Sequence, residues 1–421
     1  MPVSGAAGPV TRYTDGVERT NLGSNNYLGL TTDPRVAEGA RAALERYGTG
    51  ASGSRLLNGT SQLHLALEAE LADFYGVEAA VVTSSGFTAN LALLSAVGGP
   101  GDAVLVDAHA HASLQAGAAA SRAQVLRWRH NDVDSLRSRL ERVDPAAGVV
   151  VVTDGVYSMQ GETAPLADLA AVCAQAGARL VVDEAHGIGV LGATGRGAAE
   201  AAGVLAAVDA VTITMSKSLG SCGGAVLTTA ALAEGLRTRA VPYVFAAANV
   251  PASVGASLAA LRVLRAEPER PARVRSLGEL LRRELARAGV PVLAGQGAVV
   301  AVPVGDDEQV LRAWRAVFAA GVYVNAAVHP AVPRGQGVLR LSVMSTHTEE
   351  QLERAVAVVA AALRDTAAPG PAAGPVPAAA ERPLVVQLPP DAVPARTPLV
   401  LPAQHGPAAA GTRAGAPPGR A

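Results

Sequence analysis

The sequence predicts an α/β protein with a large domain, in which helices flank a mostly parallel sheet, and a small carboxyl-terminal α/β domain. From residue 79 to residue 228, short apolar runs alternate with helical segments, which is typical of parallel strands joined by right-handed crossovers. From residue 298 short strands, one of them over residues 322–325, again alternate with helices, and this pattern predicts a smaller two-layer unit. Thr348 and Gln351 predict a capping box at the start of its last helix. With 421 residues, 49% of them hydrophobic, the chain is long enough for both. The predicted boundaries are an amino-terminal segment 1–45, a large domain 46–265, a small domain 266–365 and a tail 366–421.

Composition and charge exclude several classes of protein. The net charge is −1 and there is no basic run, so we expect no nucleic-acid partner. The amino terminus lacks the charged start and apolar core of a signal peptide, and no apolar run is long enough to span a bilayer. Cys173 and Cys222 lie far apart and fit a reducing compartment, so we expect a cytoplasmic protein. The tail from residue 366 is rich in alanine, proline and glycine, and we expect it to be disordered.

The segment from Ala210 to Leu227 contains the first candidate for catalysis. An apolar, β-branched run ends in hydroxyl residues, Lys217 and glycines, and then a second apolar run begins. We therefore place Lys217 in a tight turn at the end of a buried strand. Burial lowers the pKa of a lysine ammonium and leaves a nucleophilic amine, which is the state that forms a Schiff base with an aldehyde cofactor. The alternative is a lysine whose ammonium reaches solvent from the strand end.

A second strand that ends in ionisable groups lies upstream, at residues 179–187. Asp183 at its carboxyl end, with His186 three residues on, suits a pyridine cofactor, because a carboxylate keeps the ring nitrogen protonated and the ring then withdraws electrons. A helicase motif and a strand-end carboxylate with a structural role are the alternatives. The sequence has no Gly-x-x-x-x-Gly-Lys-Ser/Thr phosphate loop, which argues against the helicase.

Two further segments carry candidates for binding anions. Ser85, Gly86 and Phe87 stand where a strand passes directly into a helix, and the unpaired N–H groups there could bind a phosphate. The alternative is a plain serine N-cap. Arg340 interrupts an apolar strand, where a buried guanidinium needs a carboxylate partner. That partner is either a ligand or an acidic residue of the protein.

Together these segments resemble the α-oxoamine synthases, a family of pyridoxal-phosphate (PLP) enzymes of fold type I. The similarity covers about residues 20–365 and includes Asn-Tyr-Leu-Gly at 26–29, His-Ala-Ser at 111–113, Asp-Glu-Ala-His at 183–186 and Ser-Lys-Ser at 216–218. The resemblance implies a PLP-dependent acyltransferase that joins a small L-amino acid to an acyl thioester by decarboxylative condensation. It also implies a homodimer with active sites at the subunit interface. No metal ion is expected.

The resemblance assigns roles to individual residues. The implied catalytic residues are Lys217, His111, Asp183 and His186. Lys217 would bind PLP and remove the α-proton, Asp183 would protonate the pyridine ring, and His111 would stack on it. The implied cofactor contacts, which include the catalytic residues, are Ser85, Gly86, Phe87, His111, Ser158, Asp183, His186, Thr214, Ser216 and Lys217. Asn25 and Arg340 would hold the amino-acid substrate.

Several segments favour the serine palmitoyltransferase branch, in which L-serine reacts with a long-chain acyl-CoA in the first step of sphingolipid synthesis. These segments are Gly-Thr-Gly at 48–50, Arg-His-Asn-Asp at 129–132, Pro-Tyr-Val-Phe at 242–245 and Val-Tyr-Val-Asn at 322–325. Asn25, the Asp-Glu-Ala-His-Gly motif and Val328 favour branches that use alanine or glycine, as in 8-amino-7-oxononanoate synthase or glycine C-acetyltransferase. An acyl carrier protein could replace CoA as the acyl donor.

The sequence also departs from the family pattern. Asp154 replaces a glutamate and could leave a gap, and Ala246 and Ala248 replace hydroxyl residues that reach the neighbouring subunit's phosphate. Val328 stands where the serine palmitoyltransferase branch has an arginine. Two other classes remain open at this point. A non-catalytic partner subunit would lack the lysine, and a cofactor-binding regulator would carry an added DNA-binding domain, for which we see no room before Asn21.

Overall fold

The structure is a computed structural model that describes residues 2–367. The strands of this part are β1 Val10–Arg12, β2 Glu18–Asn21, β3 Ala79–Thr83, β4 Ala103–Asp107, β5 Gln124–Trp128, β6 Val149–Asp154, β7 Arg179–Asp183, β8 Ala210–Thr214, β9 Gly224–Thr228, β10 Val299–Gly305, β11 Val322–Tyr323, β12 Asn325–Ala327 and β13 Gly337–Ser342. The α-helices are α1 Pro34–Tyr47, α2 Gln62–Tyr75, α3 Gly86–Val97, α4 Ala112–Ala120, α5 Val133–Leu140, α6 Leu166–Ala176, α7 Ala198–Ala201, α8 Ala230–Arg239, α9 Val241–Val244, α10 Pro251–Ala266, α11 Glu269–Arg287, α12 Asp307–Ala319 and α13 Glu349–Ala367. The predicted tail lies outside the described residues from residue 368 onward.

The main sheet has seven strands in the order β3-β9-β8-β7-β6-β4-β5. Strand β9 runs antiparallel to β3 and β8, and the four remaining pairs are parallel. Helices cover both faces, so successive residues of one strand enter different cores: Val104 and Val106 pack with α3 and α4, and Leu105 packs with α6. The predicted sheet, mostly parallel and flanked by helices, is confirmed.

The lysine turn follows the buried strand β8, as the sequence predicts, and the structure pairs β8 with β9 antiparallel. Within it the N–H of Gly220 donates to the carbonyl of Lys217 at 2.9 Å. Gly220 has a φ of +59°, and a Cβ at this position would lie 2.8 Å from the backbone nitrogen of Thr31. Glycine therefore allows the amino-terminal segment to pack directly against the turn.

The small carboxyl-terminal unit contains the antiparallel sheet β10-β13-β12 with helices α11 to α13. The capping box predicted at the start of α13 is present, because Thr348 and Gln351 exchange two hydrogen bonds at 3.0 and 3.2 Å. The sequence predicts one strand over residues 322–325, but the structure has two. β11 pairs in parallel with β2, whereas β12 pairs with β13.

This split of the predicted strand brings the amino-terminal segment to the active-site side of β13. Asn325 lies opposite Arg340 in the β12–β13 register and donates from Nδ2 to the carbonyl of Gly23 at 2.7 Å. Gly23 therefore lies beside Arg340's strand, and the following Asn25 reaches the guanidinium. Among the helices of residues 2–367, none is both long enough and apolar enough to cross a membrane.

Candidate active site

A cavity of about 270 Å³, here named the lysine cavity, lies at the carboxyl ends of β6, β7 and β8 and at the starts of α3 and α4. Such an edge of a parallel sheet is where α/β proteins bind ligands. Nine of the twelve predicted site residues line it, together with Ser113, Asp154 and Ala185. The nine are Ser85, Gly86, Phe87, His111, Asp183, His186, Thr214, Ser216 and Lys217.

Lys217 is partly buried and points into this cavity instead of reaching freely into solvent. Its Nζ lies 2.6 Å from Nε2 of His186. Burial, assisted by Arg340 and opposed by Asp183 and Asp154, lowers the pKa of Lys217 to about 8. A large fraction of the amine is therefore neutral and nucleophilic slightly above neutral pH.

Asp183 is held rigidly at the end of β7. Its Oδ2 accepts from Nδ2 of Asn90 at 2.6 Å, and its Oδ1 accepts from the backbone N–H of Ala185 at 2.8 Å. The same amide of Asn90 donates to Ser113 at 2.8 Å and accepts from Thr212 at 2.6 Å. Asn90 is thus a site-supporting residue that the sequence analysis missed. Its position one helical turn after Gly86, on the same face of α3, is the signal that could have found it.

His111 caps the start of α4 and connects two parts of the site. Its Nδ1 lies 2.7 Å from the hydroxyl of Ser113, and its backbone N–H donates to Oδ2 of Asp154 at 2.8 Å. Burial lowers the pKa of His111, so its ring is neutral. Burial, reinforced by Asp183, raises the pKa of Asp154 well above its usual range. The side chain of Asp154 thus reaches the backbone of His111 directly. The gap expected from a shorter carboxylate than glutamate is therefore closed at this contact.

The start of α3 forms the other end of the lysine cavity. The hydroxyl of Ser85 accepts from the N–H of Thr88 at 3.0 Å, so this serine is an N-cap, as the alternative prediction stated. A Cβ at Gly86 would lie 2.8 Å from Cβ of Thr214, so glycine is what lets the helix approach the lysine turn. Thr214 and Ser216 share a hydrogen bond of 2.8 Å between their hydroxyls.

Arg340 is buried, with 3% of its surface exposed, yet no acidic residue of the described chain forms an ion pair with it. Its Nη2 donates to Oδ1 of Asn25 at 3.0 Å and to the hydroxyl of Tyr27 at 3.3 Å, and Nη1 donates to Ser342 at 2.8 Å. Nε donates to the carbonyl of Ser158. The salt bridge to a protein acid, which the sequence left open, is therefore absent from residues 2–367.

Ser158 does not line the lysine cavity. It lies in the wall of a neighbouring cavity of about 560 Å³, here named the apolar cavity, which also contains Met159, Pro330 and Val332. His111 lines both cavities. The two cavities therefore share His111 as part of their walls.

Tyr27 is the second residue that the sequence analysis missed. It is fully buried, and its hydroxyl lies 2.7 Å from Nδ1 of His186 and 3.1 Å from Oδ1 of Asn25. The only sequence signal was its place in the Asn-Tyr-Leu-Gly motif, because the contact to His186 spans 159 residues of the chain.

Comparison with known proteins places this site in a family. The family model "Aminotransferase class I and II" matches residues 17–359. The chain is 41% identical over 346 residues to a serine palmitoyltransferase of Caulobacter vibrioides, covering 82% of this chain and 86% of that protein. It is 42% identical over 349 residues to an 8-amino-7-oxononanoate synthase of Geobacter metallireducens, covering 82% and 89%. The chain belongs to the α-oxoamine synthases.

Solved structures support the assignment of the chain to this family. A Sphingomonas wittichii serine palmitoyltransferase matches with a TM-score of 0.84 at 39% identity, covering 86% of this chain and 92% of that one. A serine palmitoyltransferase solved with PLP matches with a TM-score of 0.84 at 38% identity and the same coverage. This α-oxoamine synthase is therefore a PLP-dependent acyltransferase of fold type I, and the predicted family, fold and cofactor are confirmed.

The lysine cavity of the synthase fits PLP chemically. A helix start suited to an anion, a fixed carboxylate and a partly buried amine with a lowered pKa all line this one space.

The two cysteines of the described chain are free, Cys173 buried and Cys222 exposed.

Proposed function

We propose that this α-oxoamine synthase condenses L-serine with a long-chain acyl-CoA, releasing CoA and CO₂ and forming an α-amino ketone. The observation that carries the proposal is the apolar cavity of about 560 Å³, which shares His111 with the lysine cavity. Most of its lining surface is apolar, which suits an alkyl chain better than a short polar acyl group. Relatives named serine palmitoyltransferase support the same substrates.

Residues of the lysine cavity would hold PLP in the following way. The phosphate would bind the first N–H groups of α3, with Thr214 and Ser216 on the lysine turn beside them. Asp183 would hold the proton of the ring nitrogen, and His111 would lie against the ring. When bound, PLP supplies an aldehyde that reacts with amines and a ring that withdraws electrons from the adjacent carbon. His186 and, by resemblance, Ser158 would contact its phenolic oxygen.

Arg340 and Asn25 would bind the carboxylate of the amino acid. A buried guanidinium whose described neighbours are all uncharged acceptors retains its full positive charge for a ligand. Four of its five N–H groups already have acceptors in the described chain, so the remaining N–H on Nη1 would donate to the carboxylate. The guanidinium also lies close enough to Lys217 to lower the pKa of the lysine.

Lys217 would act as the base that removes the α-proton. Its amine is neutral above a pH of about 8, and a base with a pKa near the working pH transfers protons efficiently. After the transfer Nζ carries the proton, and Nε2 of His186 at 2.6 Å can accept a hydrogen bond from it. The burial that lowers the pKa of His186 well below its usual range keeps that imidazole neutral, so it is ready to accept.

The experiment that tests the proposal is thiol release from palmitoyl-CoA by the PLP-loaded protein, with serine, alanine and glycine supplied separately. Serine-dependent release that is lost in Lys217→Ala supports the proposal. Thiol release that does not depend on any amino acid contradicts it, because the enzyme would then be a thioesterase.

A second candidate is an 8-amino-7-oxononanoate synthase-like or glycine C-acetyltransferase-like reaction with alanine or glycine. The 42% identity to the Geobacter metallireducens protein and the presence of Asn25 favour it. Release of thiol with alanine or glycine, and from a shorter acyl donor, would select this candidate. Activity only with an acyl carrier protein would replace CoA as the donor.

We also propose that the enzyme is a homodimer in the cytoplasm. The loop around Ser54 and the segment around Ala247 form a β-bridge, and large apolar side chains beside that bridge are exposed, Phe245 at 82% and Leu57 at 79%. Phe87, which lines the lysine cavity, is also exposed. Exposed apolar residues grouped at a site are typical of an interface, and a second copy of the chain would cover them. Free cysteines agree with a reducing cytoplasm.

A further inference from the structure

An unbroken series of polar contacts runs from Lys217 to the residues around Arg340. Lys217 Nζ lies 2.6 Å from Nε2 of His186, whose Nδ1 lies 2.7 Å from the hydroxyl of Tyr27. The Tyr27 hydroxyl lies 3.1 Å from Oδ1 of Asn25. Arg340 donates from Nη2 to both the hydroxyl of Tyr27 and Oδ1 of Asn25. The phenol of Tyr27 is therefore the link between the lysine and the guanidinium.

When Lys217 is charged, the hydrogen bonds of this series can have only one direction. The ammonium has no lone pair, so it must donate to Nε2 of His186. The neutral imidazole then carries its proton on Nδ1 and donates to the oxygen of Tyr27. The hydroxyl of Tyr27 in turn donates to Asn25.

When Lys217 is neutral, the opposite direction is also possible. Tyr27 donates to Nδ1 of His186, and Nε2 of His186 carries the proton and donates to the amine of Lys217. Oδ1 of Asn25 then no longer accepts a hydrogen bond from the phenol, but it still accepts one from Nη2 of Arg340 at 3.0 Å. In both arrangements Nη2 of Arg340 donates to Oδ1 of Asn25 and to the hydroxyl oxygen of Tyr27. Every buried polar atom of the series therefore keeps a partner whether Lys217 is charged or neutral.

We propose that Tyr27 is a positioning residue that allows His186 to change tautomer when Lys217 gains or loses a proton. The phenol accepts from Nδ1 in one state and donates to Nδ1 in the other, which a hydroxyl can do and an apolar ring cannot. The lysine can then act as a base without an unpaired nitrogen remaining on His186. The inference extends the base role proposed for Lys217 and rests on it.

Other groups around the lysine also affect its charge. Asp183 at the end of β7 and Asp154 at the end of β6 favour the ammonium, whereas Arg340 on β13 disfavours it. His186 also faces Lys217, Arg340 and His111 at the start of α4. Removing the Tyr27 hydroxyl changes none of these charges, because burial raises the pKa of the phenol and keeps it neutral. A shift in the titration of Lys217 on that change would therefore report the hydrogen-bond series.

The test is the pH dependence of PLP attachment to the apoprotein in Tyr27→Phe. PLP is mixed with apoprotein across the pH range, borohydride traps the lysine-bound fraction, and mass spectrometry measures the initial rate. In the variant, Nδ1 has no partner, and a buried N–H without a partner is the less tolerated state, so the imidazole proton moves to Nε2. His186 can then no longer accept from the ammonium. We expect the midpoint to fall by about one pH unit relative to the wild type.

Tyr75→Phe is the matched control for this experiment. Tyr75 is also buried, and its hydroxyl has no hydrogen-bond partner within the part of the chain that the structure describes. The control should keep the wild-type midpoint. An unchanged or raised midpoint in Tyr27→Phe would overturn the inference, because a merely structural tyrosine would lower thermal stability without moving the titration.

A second variant and a second readout keep the inference testable if Tyr27→Phe folds poorly. Asn25→Ala removes the acceptor that Tyr27 uses only when the lysine is charged, so it should also lower the midpoint. Nitrogen-15 NMR of the apoprotein, with His186→Asn for assignment, reads the tautomer directly. The proton of His186 should be on Nδ1 below the lysine midpoint and populate Nε2 above it, and a proton that stays on one nitrogen throughout would contradict the inference.

Failure of the substrate proposal is separable from failure of this inference. Serine-dependent thiol release by the wild type tests the substrates and does not involve the variants. If the wild type releases no thiol with serine but Tyr27→Phe still lowers the midpoint of PLP attachment, serine is not the substrate and the inference about the hydrogen-bond series stands.

Discussion

At the residue scale, the site depends on side chains whose chemistry is unusual for their local position, a partly buried amine and a buried carboxylate at the edge of the sheet. Asp183 ends the apolar strand β7 and Lys217 lies three residues after the end of β8, so their position at the sheet edge could be predicted from nearby residues alone. Asn90 and Tyr27 could not be found this way. Asn90 contacts Asp183 across 93 residues of sequence, and Tyr27 contacts His186 across 159, and only the fold brings these partners together.

The proposed role of Arg340 predicts a loss of substrate affinity in Arg340→Lys. A lysine keeps the charge, but its three donors cannot replace the bonds to Ser158, Ser342 and Asn25 and also present an N–H to the carboxylate. We expect kcat/KM for the amino acid to fall at least about tenfold, about 1.4 kcal/mol, mainly through KM. Steady-state kinetics with serine as the varied substrate measure this.

Arg312→Lys is the control for that change, because Arg312 is partly exposed and lies on α12 in the same small unit. It should leave both kinetic constants unchanged. Wild-type KM for the amino acid in Arg340→Lys would contradict the carboxylate role.

The lowered pKa of Lys217 predicts the pH dependence of cofactor binding. Burial disfavours the ammonium, so the neutral amine predominates above a pH of about 8 instead of above the ordinary 10.5. The rate of covalent PLP attachment to wild-type apoprotein should rise with pH, reach half its maximum near pH 8 and then level off. A rate that continues to rise to pH 10 would show that the amine is not desolvated.

At the element scale, the type of each long element could be predicted, but the pairing of short strands could not. Strands β8 and β9 follow from two apolar runs around one turn. The segment 322–325 has the composition of a single strand, yet β11 pairs with the amino-terminal β2 and β12 with β13. Two-residue and three-residue strands are decided by their distant partners, since so few residues carry little pattern of their own.

The close approach of α3 to the lysine turn predicts the effect of Gly86→Ala. A Cβ there would lie 2.8 Å from Cβ of Thr214, so the helix start must move away from the turn. We expect PLP affinity to fall about tenfold, about 1.4 kcal/mol, with little change in thermal stability of the apoprotein. Equilibrium titration of apoprotein with PLP measures the affinity.

Gly50→Ala provides the comparison for Gly86→Ala, because a Cβ at Gly50 meets no atom within 4 Å. Its PLP affinity should equal that of the wild type. Equal affinity in both variants would show that the start of α3 does not hold the phosphate.

At the scale of the whole molecule, the sequence predicted the two α/β units but not the way in which the amino terminus joins them. The segment before residue 46 is not independent: β2 extends the carboxyl-terminal unit through β11, and Gly220 packs the segment against the lysine turn. This placement brings Asn25 and Tyr27 to Arg340. Local patterns do not encode such a contact, because it joins residues more than 300 positions apart.

The proposed homodimer predicts that Phe245→Asp yields monomers. A charge at a side chain that is 82% exposed should be harmless in a monomer, but burying it in an apolar interface costs several kcal/mol. We expect sedimentation velocity to show loss of the dimer and a parallel loss of PLP affinity. Leu311→Asp, at an exposed leucine of α12, should leave the dimer intact. A stable dimer in Phe245→Asp would place the interface elsewhere.

The most direct test of the central claim is the ratio of CO₂ to free thiol produced from carboxyl-labelled L-serine and palmitoyl-CoA. Decarboxylative condensation at one site requires one CO₂ for every CoA released, and both products should disappear in Lys217→Ala. We predict a ratio of one throughout the reaction. Serine-dependent thiol release without CO₂ would mean that serine is only acylated, and it would contradict the proposed α-amino ketone synthesis.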